Sequence, residues 1–219
     1  VVAQEHVDGV LFTGGVPAGR AIHKALAGRP EKIVALELGG NNPLVVWDAS
    51  DLDAAARIIV ESAYITARQR CTCPRRLIVG SGAQGDAAIA ALTHLVDRII
   101  VGQPDAVSQP FIGPLISAKA ADAAISAQAD WLRAGGVALR EMRRLDLGPA
   151  FVSPGLVDVT AINGRKDEEV FGPLLQVIRV PTFEAAIEEA NNTRFGLAAG
   201  LISDDEELFV QFETDVRAG

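Results

Sequence analysis

Sulfur is scarce in this chain: among 219 residues there are two cysteines and one methionine. A disulfide framework is excluded as the source of stability, and a chain of this length can bury a core without one. The two thiols, Cys71 and Cys73, stand one residue apart in "QRCTC". That is neither the C-x-x-C spacing of a redox pair nor half of a zinc site, since no second Cys/His pair follows at finger spacing. No metal site is expected, and packing and catalysis remain open for both. Positive charge is also in short supply, with a formal net charge of -8 and a pI near 4.9. Nucleic acid requires a basic face, so it is not an expected partner. No apolar run approaches the roughly 20 residues of a membrane span, and no basic segment leads into a short apolar one as in a secretory signal. No membrane partner is expected, and the cytoplasm is the expected compartment.

What is present is alternation. Short apolar runs alternate with longer stretches of helical period, which predicts an α/β protein with a largely parallel sheet flanked by helices. Strands are expected at 9–13, 32–38, 44–47, 76–79, 155–160 and 174–180, with another in "LAAGLIS". Helices are expected at 17–26, from a Ser50/Asp53 capping box to about 66, at 83–100, 117–134 and 183–191, and from about 204 onward. "GGNNP" after Leu38 is the one plausible internal boundary, giving segments 1–38 and 39–219. The opening "VVAQEH" and the closing "DVRAG" read as cuts through a longer protein.

A thiol attacks as thiolate, and cations nearby favour that form. Cys71 has Arg70, Arg75 and Arg76 as sequence neighbours, an unusual setting for a packed cysteine, whereas Cys73 leads into the apolar "RLIV" and suits packing. The three histidines, His6, His23 and His94, lie in the opening segment and in two helical patterns, so the base must be another residue. Glu37 ends the apolar "VALEL" just before Gly39 and Gly40, where a carboxylate can point into a cleft. An edge glutamate merely in solvent is the plainer reading.

"LELGGNNP" followed by "QRCTC" resembles the aldehyde dehydrogenase superfamily, whose Glu-Leu-Gly-Gly motif supplies a general base and whose Gln-x-Cys motif supplies the nucleophile. The resemblance implies these roles for Glu37 and Cys71, whose separation matches the family's. "FTGG" is similar to the family's turn at a nicotinamide cofactor, which implies NAD contacts at Gly14, Gly15, Gly19 and Leu38. "EEVFGP" implies ribose and ring contacts at Glu169 and Phe171. On this resemblance 1–38 is the closing part of a Rossmann-like dinucleotide domain, and 39–219 is the catalytic domain. "GGNNPLVV", "QPFIGPLIS" and "FVSPGLVDVT" resemble the branch acting on succinylglutamate semialdehyde in arginine catabolism. A small semialdehyde substrate is thereby implied, together with a homo-oligomeric full-length protein, and Arg70 is the candidate for a substrate carboxylate. Two other readings are a folded fragment without catalysis and a relative that passes its acyl group to CoA, for which Glu37 would be superfluous. Two departures stand out: Gly15 where the family has Ser, and Arg68 where it has Gly. If the family's glycine adopts a positive φ, Arg68 inherits a strained backbone beside the nucleophile, with a long cation to place.

Overall fold

The computed structural model describes residues 2 and 4–219, which divide into two compact units, 1–40 and 41–219. In the first unit, strand β1 (Gly9–Thr13) and strand β2 (Ile33–Glu37) pair in parallel through helix α1 (Val16–Leu26). Alternate residues of this pair face outward, leaving Leu11 83% and Ile33 70% exposed. Gly14 and Gly19 are close-packing positions. A Cβ on Gly14 would lie 2.5 Å from the Phe12 ring, and one on Gly19 would lie 2.4 Å from Leu38.

The second unit is built on a six-stranded sheet. Its strands are β3 (Pro43–Val46), β4 (Arg76–Gly80), β5 (Val137–Arg140), β6 (Gly155–Asp158), β7 (Leu174–Val180) and β8 (Gly200–Ile202), in the order β5-β6-β7-β4-β3-β8. All pairings are parallel except that of β5 with β6. Successive strand residues point to opposite faces, and both faces are covered here. Leu44, Val46, Leu77, Val79, Leu175 and Val177 pack against helices α2 (Leu52–Tyr64) and α3 (Ala83–Val96). Val45, Ile78, Leu174 and Ile178 face the opposite cluster, which takes in helices α4 (Ala118–Arg133), α5 (Phe183–Asn191) and α6 (Glu206–Asp215).

The sequence expectations differ from this fold in three places. β5 was not expected: it is a half-exposed antiparallel edge strand whose apolar run is only three residues long, Val137 to Leu139. Helix α2 is capped by Asp51, whose carboxylate accepts the Ala54 amide, while the Ser50 amide donates to Asp204 Oδ2 at 2.7 Å. In sequence "QRCTC" reads as a loop ending on a sheet edge, and the structure differs. The turn feeds β4, an interior strand lying between β3 and β7.

Candidate active site

The nucleophile turn begins where α2 ends, in a tight left-handed turn over Ile65–Arg68. Thr66, Ala67 and Arg68 hold φ of 54°, 52° and 56° in succession. Three consecutive left-handed residues, none of them glycine, each cost about 1–2 kcal/mol. The positive φ expected at Arg68 is therefore present, but its side chain is not beside the turn in solvent. It is fully buried, with Nε donating to Pro74 O at 2.9 Å and both Nη atoms lacking a hydrogen-bond partner. Burial, reinforced by the neighbouring Arg75 cation, pulls its pKa down to about 9.

Backbone carbonyls secure the rest of the turn. Asn42 Nδ2 donates to Cys71 O at 2.7 Å and to Cys73 O at 3.1 Å, while Asn42 O accepts the amides of Arg75 and Arg76. Gln69, the first residue of the Gln-x-Cys motif, spans to the Pro/Gly loop: its Oε1 accepts the Ile116 amide at 2.7 Å and its Nε2 donates to Pro114 O at 3.3 Å. Held in this way, Cys71 is half-buried and Cys73 is buried, both as free thiols. The sequence distinction between them is thus also a distinction in access. Arg70 is exposed. Together with Thr72, Cys73 and Pro74 it lines a cavity of about 420 Å³ that is also bordered by Glu61 and Ala199.

Arg75 joins this turn to the loop bearing Glu169 and Phe171. Its guanidinium donates to Cys73 O and, at 2.9 Å, to Arg70 O; it pairs with Glu169 at 3.2 Å and lies 4.8 Å from the Phe171 ring centroid. Burial lowers its pKa, and the Glu169 charge acts in the opposite direction. Glu169 and Phe171 also line a cavity of about 640 Å³ with Trp131 and the alanine face of α4. Asp130, Glu168, Arg165 and Lys166 also border it, so the aromatic and aliphatic wall is rimmed by charge of both signs.

The two asparagines of "GGNNP" divide their work. Asn41 Nδ2 donates to Asp167 Oδ1 at 2.9 Å, and Asp167 also accepts the Thr193 hydroxyl and the Arg194 amide. Burial opposes ionisation of Asp167, but these hydrogen bonds outweigh it and hold the carboxyl below its usual pKa. Arg75 was legible only as a cation near Cys71, and no role was foreseen for Asn41, Asn42 or Asp167. For the two asparagines the sequence signal was polarity just before strand β3, which is fully buried.

The remaining candidates lie in the first unit. Gly14 N donates to Glu37 O at 3.0 Å, which links the "FTGG" turn to the end of β2. Gly15 caps α1 without a side-chain hydrogen bond, and a Cβ there would meet only Pro17. A helix N-terminus left open in this way suits a phosphate. Glu37 is exposed on the outward face shared with Ile33 and Ala35, so within its own unit its carboxylate does not point into a cleft. Glu37 and Cys71 belong to different units. Among the described residues there is no His/Cys/Asp/Glu group able to hold a metal, and no helix is long and apolar enough to cross a membrane.

A motif-bearing turn leading into an interior strand of a parallel sheet defines a class, and the chain belongs to the aldehyde dehydrogenase family, whose profile matches residues 1–219. Within it, the chain is 58% identical over all 219 residues to N-succinylglutamate 5-semialdehyde dehydrogenase 1 of Caulobacter vibrioides, covering 46% of that protein. Among solved structures it superposes with a TM-score of 0.89 on an NAD-dependent aldehyde dehydrogenase from Sinorhizobium meliloti, at 32% identity, covering all of this chain and 43% of that one. It superposes with a TM-score of 0.88 on an NADP-dependent glyceraldehyde-3-phosphate dehydrogenase from Bacillus halodurans, at 31% identity, covering all of this chain and 44% of that one. The chain spans about half the length of the curated relatives it matches.

Proposed function

We propose that this chain carries the catalytic centre of an NAD-dependent aldehyde dehydrogenase that oxidises N-succinylglutamate 5-semialdehyde to N-succinylglutamate. The observation that carries the reading is Cys71: a half-buried thiol in a Gln-x-Cys turn whose carbonyls are held from behind by Asn42 and Arg75. The relative from Caulobacter vibrioides, named for that substrate, supports the choice.

The Cys71 thiolate adds to the aldehyde carbon, forming a C–S bond and placing negative charge on the former carbonyl oxygen. The Cys71 amide is the donor assigned to that oxygen. The chemistry that a bound nicotinamide dinucleotide supplies is acceptance of hydride from this carbon. The residues that would hold it are Gly14, Gly15, Gly19 and Leu38 in the first unit, with Glu169 and Phe171 in the second. Once the carbon is oxidised, Cys71 carries a thioester. Glu37 then takes a proton from water, the resulting hydroxide adds to the acyl carbon, and the C–S bond breaks to release the carboxylic acid and the Cys71 thiolate, after which the product acid and Glu37 each give a proton to solvent. A general base for water favours hydrolysis over transfer to CoA. Arg70, exposed at its cavity, is the cation assigned to a substrate carboxylate.

The test is a pair of serine substitutions in the full-length enzyme. Cys71→Ser is expected to abolish dehydrogenase turnover, at least about a thousandfold, because a hydroxyl with no adjacent base is a poor nucleophile. Cys73→Ser is expected to retain most of it. Turnover surviving Cys71→Ser would overturn the reading.

A further inference from the structure

Arg75 has no assigned role in the chemistry above, yet its side chain is in contact with both halves of the second unit's site. It is 1% exposed and sits where the nucleophile turn becomes β4. One face of its fork holds the carbonyls of Arg70 and Cys73, the residues on either side of Cys71 and Thr72. The same guanidinium holds Glu169 at 3.2 Å and lies over Phe171. A planar cation with five donors can satisfy several acceptors in fixed directions, which a lysine ammonium on a flexible stem cannot.

We propose that Arg75 is a positioning residue: it locks the Cys71 turn to the Glu169–Phe171 loop, so that the nucleophile and the nicotinamide-side contacts hold one relative geometry before substrate arrives. The geometry explains why a charge is buried at this point. Two carbonyls, a carboxylate and an aromatic face converge on it, and an apolar side chain of equal volume would leave the carbonyls and Glu169 without their cation. Small displacements of reacting groups cost large factors in rate, so the expected signature is in the chemical step and not in substrate affinity.

This inference rests on the reading of Cys71 as nucleophile and of Glu169 as a cofactor contact, and its test keeps the two separable. In the full-length enzyme without dinucleotide, the alkylation rate of Cys71 by iodoacetamide, assigned to that residue by peptide mass, is measured for wild type, Arg75→Met and Arg75→Lys. Thermal melts on the same samples show that each is folded, and Arg75→Lys keeps the experiment decisive if Arg75→Met does not fold. Both variants are expected to alkylate Cys71 more slowly, Arg75→Met by about tenfold and Arg75→Lys by less. Steady-state kcat is expected to fall in parallel while the KM for aldehyde stays within about twofold. Glu169→Gln is expected to cost less in the Arg75→Met background than in wild type, because the two residues act together. Folded variants with wild-type alkylation and kcat, and additive effects with Glu169→Gln, would reduce Arg75 to core filling. Turnover in Cys71→Ser would instead defeat the underlying reading, whatever Arg75 does.

Discussion

Both shoulders of the nucleophile turn bury arginine, Arg75 and Arg76 on the far side and Arg68 on the near, and Arg76 and Arg68 solve the problem in opposite ways. On the far shoulder Arg76, 3% exposed, donates to Asn41 O at 2.9 Å, to Glu189 O at 2.5 Å and to Ala190 O at 2.9 Å, with the Glu189 carboxylate 3.5 Å away. On the near shoulder Arg68, equally buried, has one hydrogen bond through Nε and two Nη atoms with none. Arg76 sits at the first position of a regular strand, whereas Arg68 closes a run of three left-handed residues. A buried cation stabilises only where the surrounding backbone offers acceptors in the directions of its donors. The far shoulder is built to satisfy Arg76, and the near shoulder tolerates Arg68.

The largest effect should come from breaking the satisfied side. Arg76→Met retains most of the volume but takes a donor from three carbonyls, of which Glu189 O keeps the Asn192 amide, and leaves Glu189 with Arg165 as its remaining cation, 2.7 Å away. A loss of about 3–5 kcal/mol is expected from the urea midpoint. A loss below about 1 kcal/mol would mean that water replaces the guanidinium at little cost, and the contrast between shoulders would disappear.

The same substitution at the other shoulder should have the opposite sign. Arg68→Met removes an unpaired interior charge at the expense of one hydrogen bond to Pro74 O, so a gain of about 1–3 kcal/mol is expected. The backbone strain is untouched by Met, and Arg68→Gly separates the two effects by relieving φ while leaving a void. The pH dependence follows from linkage. Burial lowers the pKa of Arg68 to about 9 in the folded chain, below its unfolded value, so the unfolded chain binds the proton more tightly. The penalty is fully present below pH 9 and fades as pH rises above it. The stability gap between Arg68→Met and wild type should therefore narrow between pH 8 and about pH 10.5. A constant gap, or a less stable methionine variant, would show that Arg68 has acceptors beyond Pro74 O.

How much of this was legible follows the range of the interaction. β1, β7 and α5 were placed at their observed limits because each is a local pattern, apolar run or helical period, bounded by Gly, Pro or a capping Thr. Short motifs singled out Cys71 and Glu37 as candidates, and a departure from one pointed to the strain at Arg68. The roles of Arg75 and Asn42 were not legible, because their partners are set by which strands become neighbours. Nothing near Asn42 in sequence says that its amide will meet the Cys71 carbonyl, and nothing near Arg75 points to Glu169. β5 was missed for a related reason: an edge strand half in solvent needs no long apolar run.

The smallest effect concerns the helix that delivers the chain to the near shoulder. From sequence alone Ser50 and Asp53 have the spacing of a capping box, yet Asp51 lies nearer the first turn and its carboxylate accepts the Ala54 amide at 2.9 Å. A short acidic side chain at this position satisfies an otherwise unpaired donor and faces the positive end of the helix dipole, so two favourable terms act at one residue. Ser50 instead contributes its backbone amide, to Asp204, a contact that does not depend on the serine side chain. Asp51→Ala should then lower stability by about 1 kcal/mol, and Ser50→Ala by less than about 0.5 kcal/mol. Because α2 runs directly into the left-handed residues before Cys71, weakening its start should leave Cys71 alkylation unchanged while the midpoint of unfolding falls. Equal losses from the two alanines would return the cap to Ser50. A slower Cys71 in Asp51→Ala would mean that the strain of the near shoulder is held in place from the far end of α2 and not by the local contacts of Gln69 and Asn42.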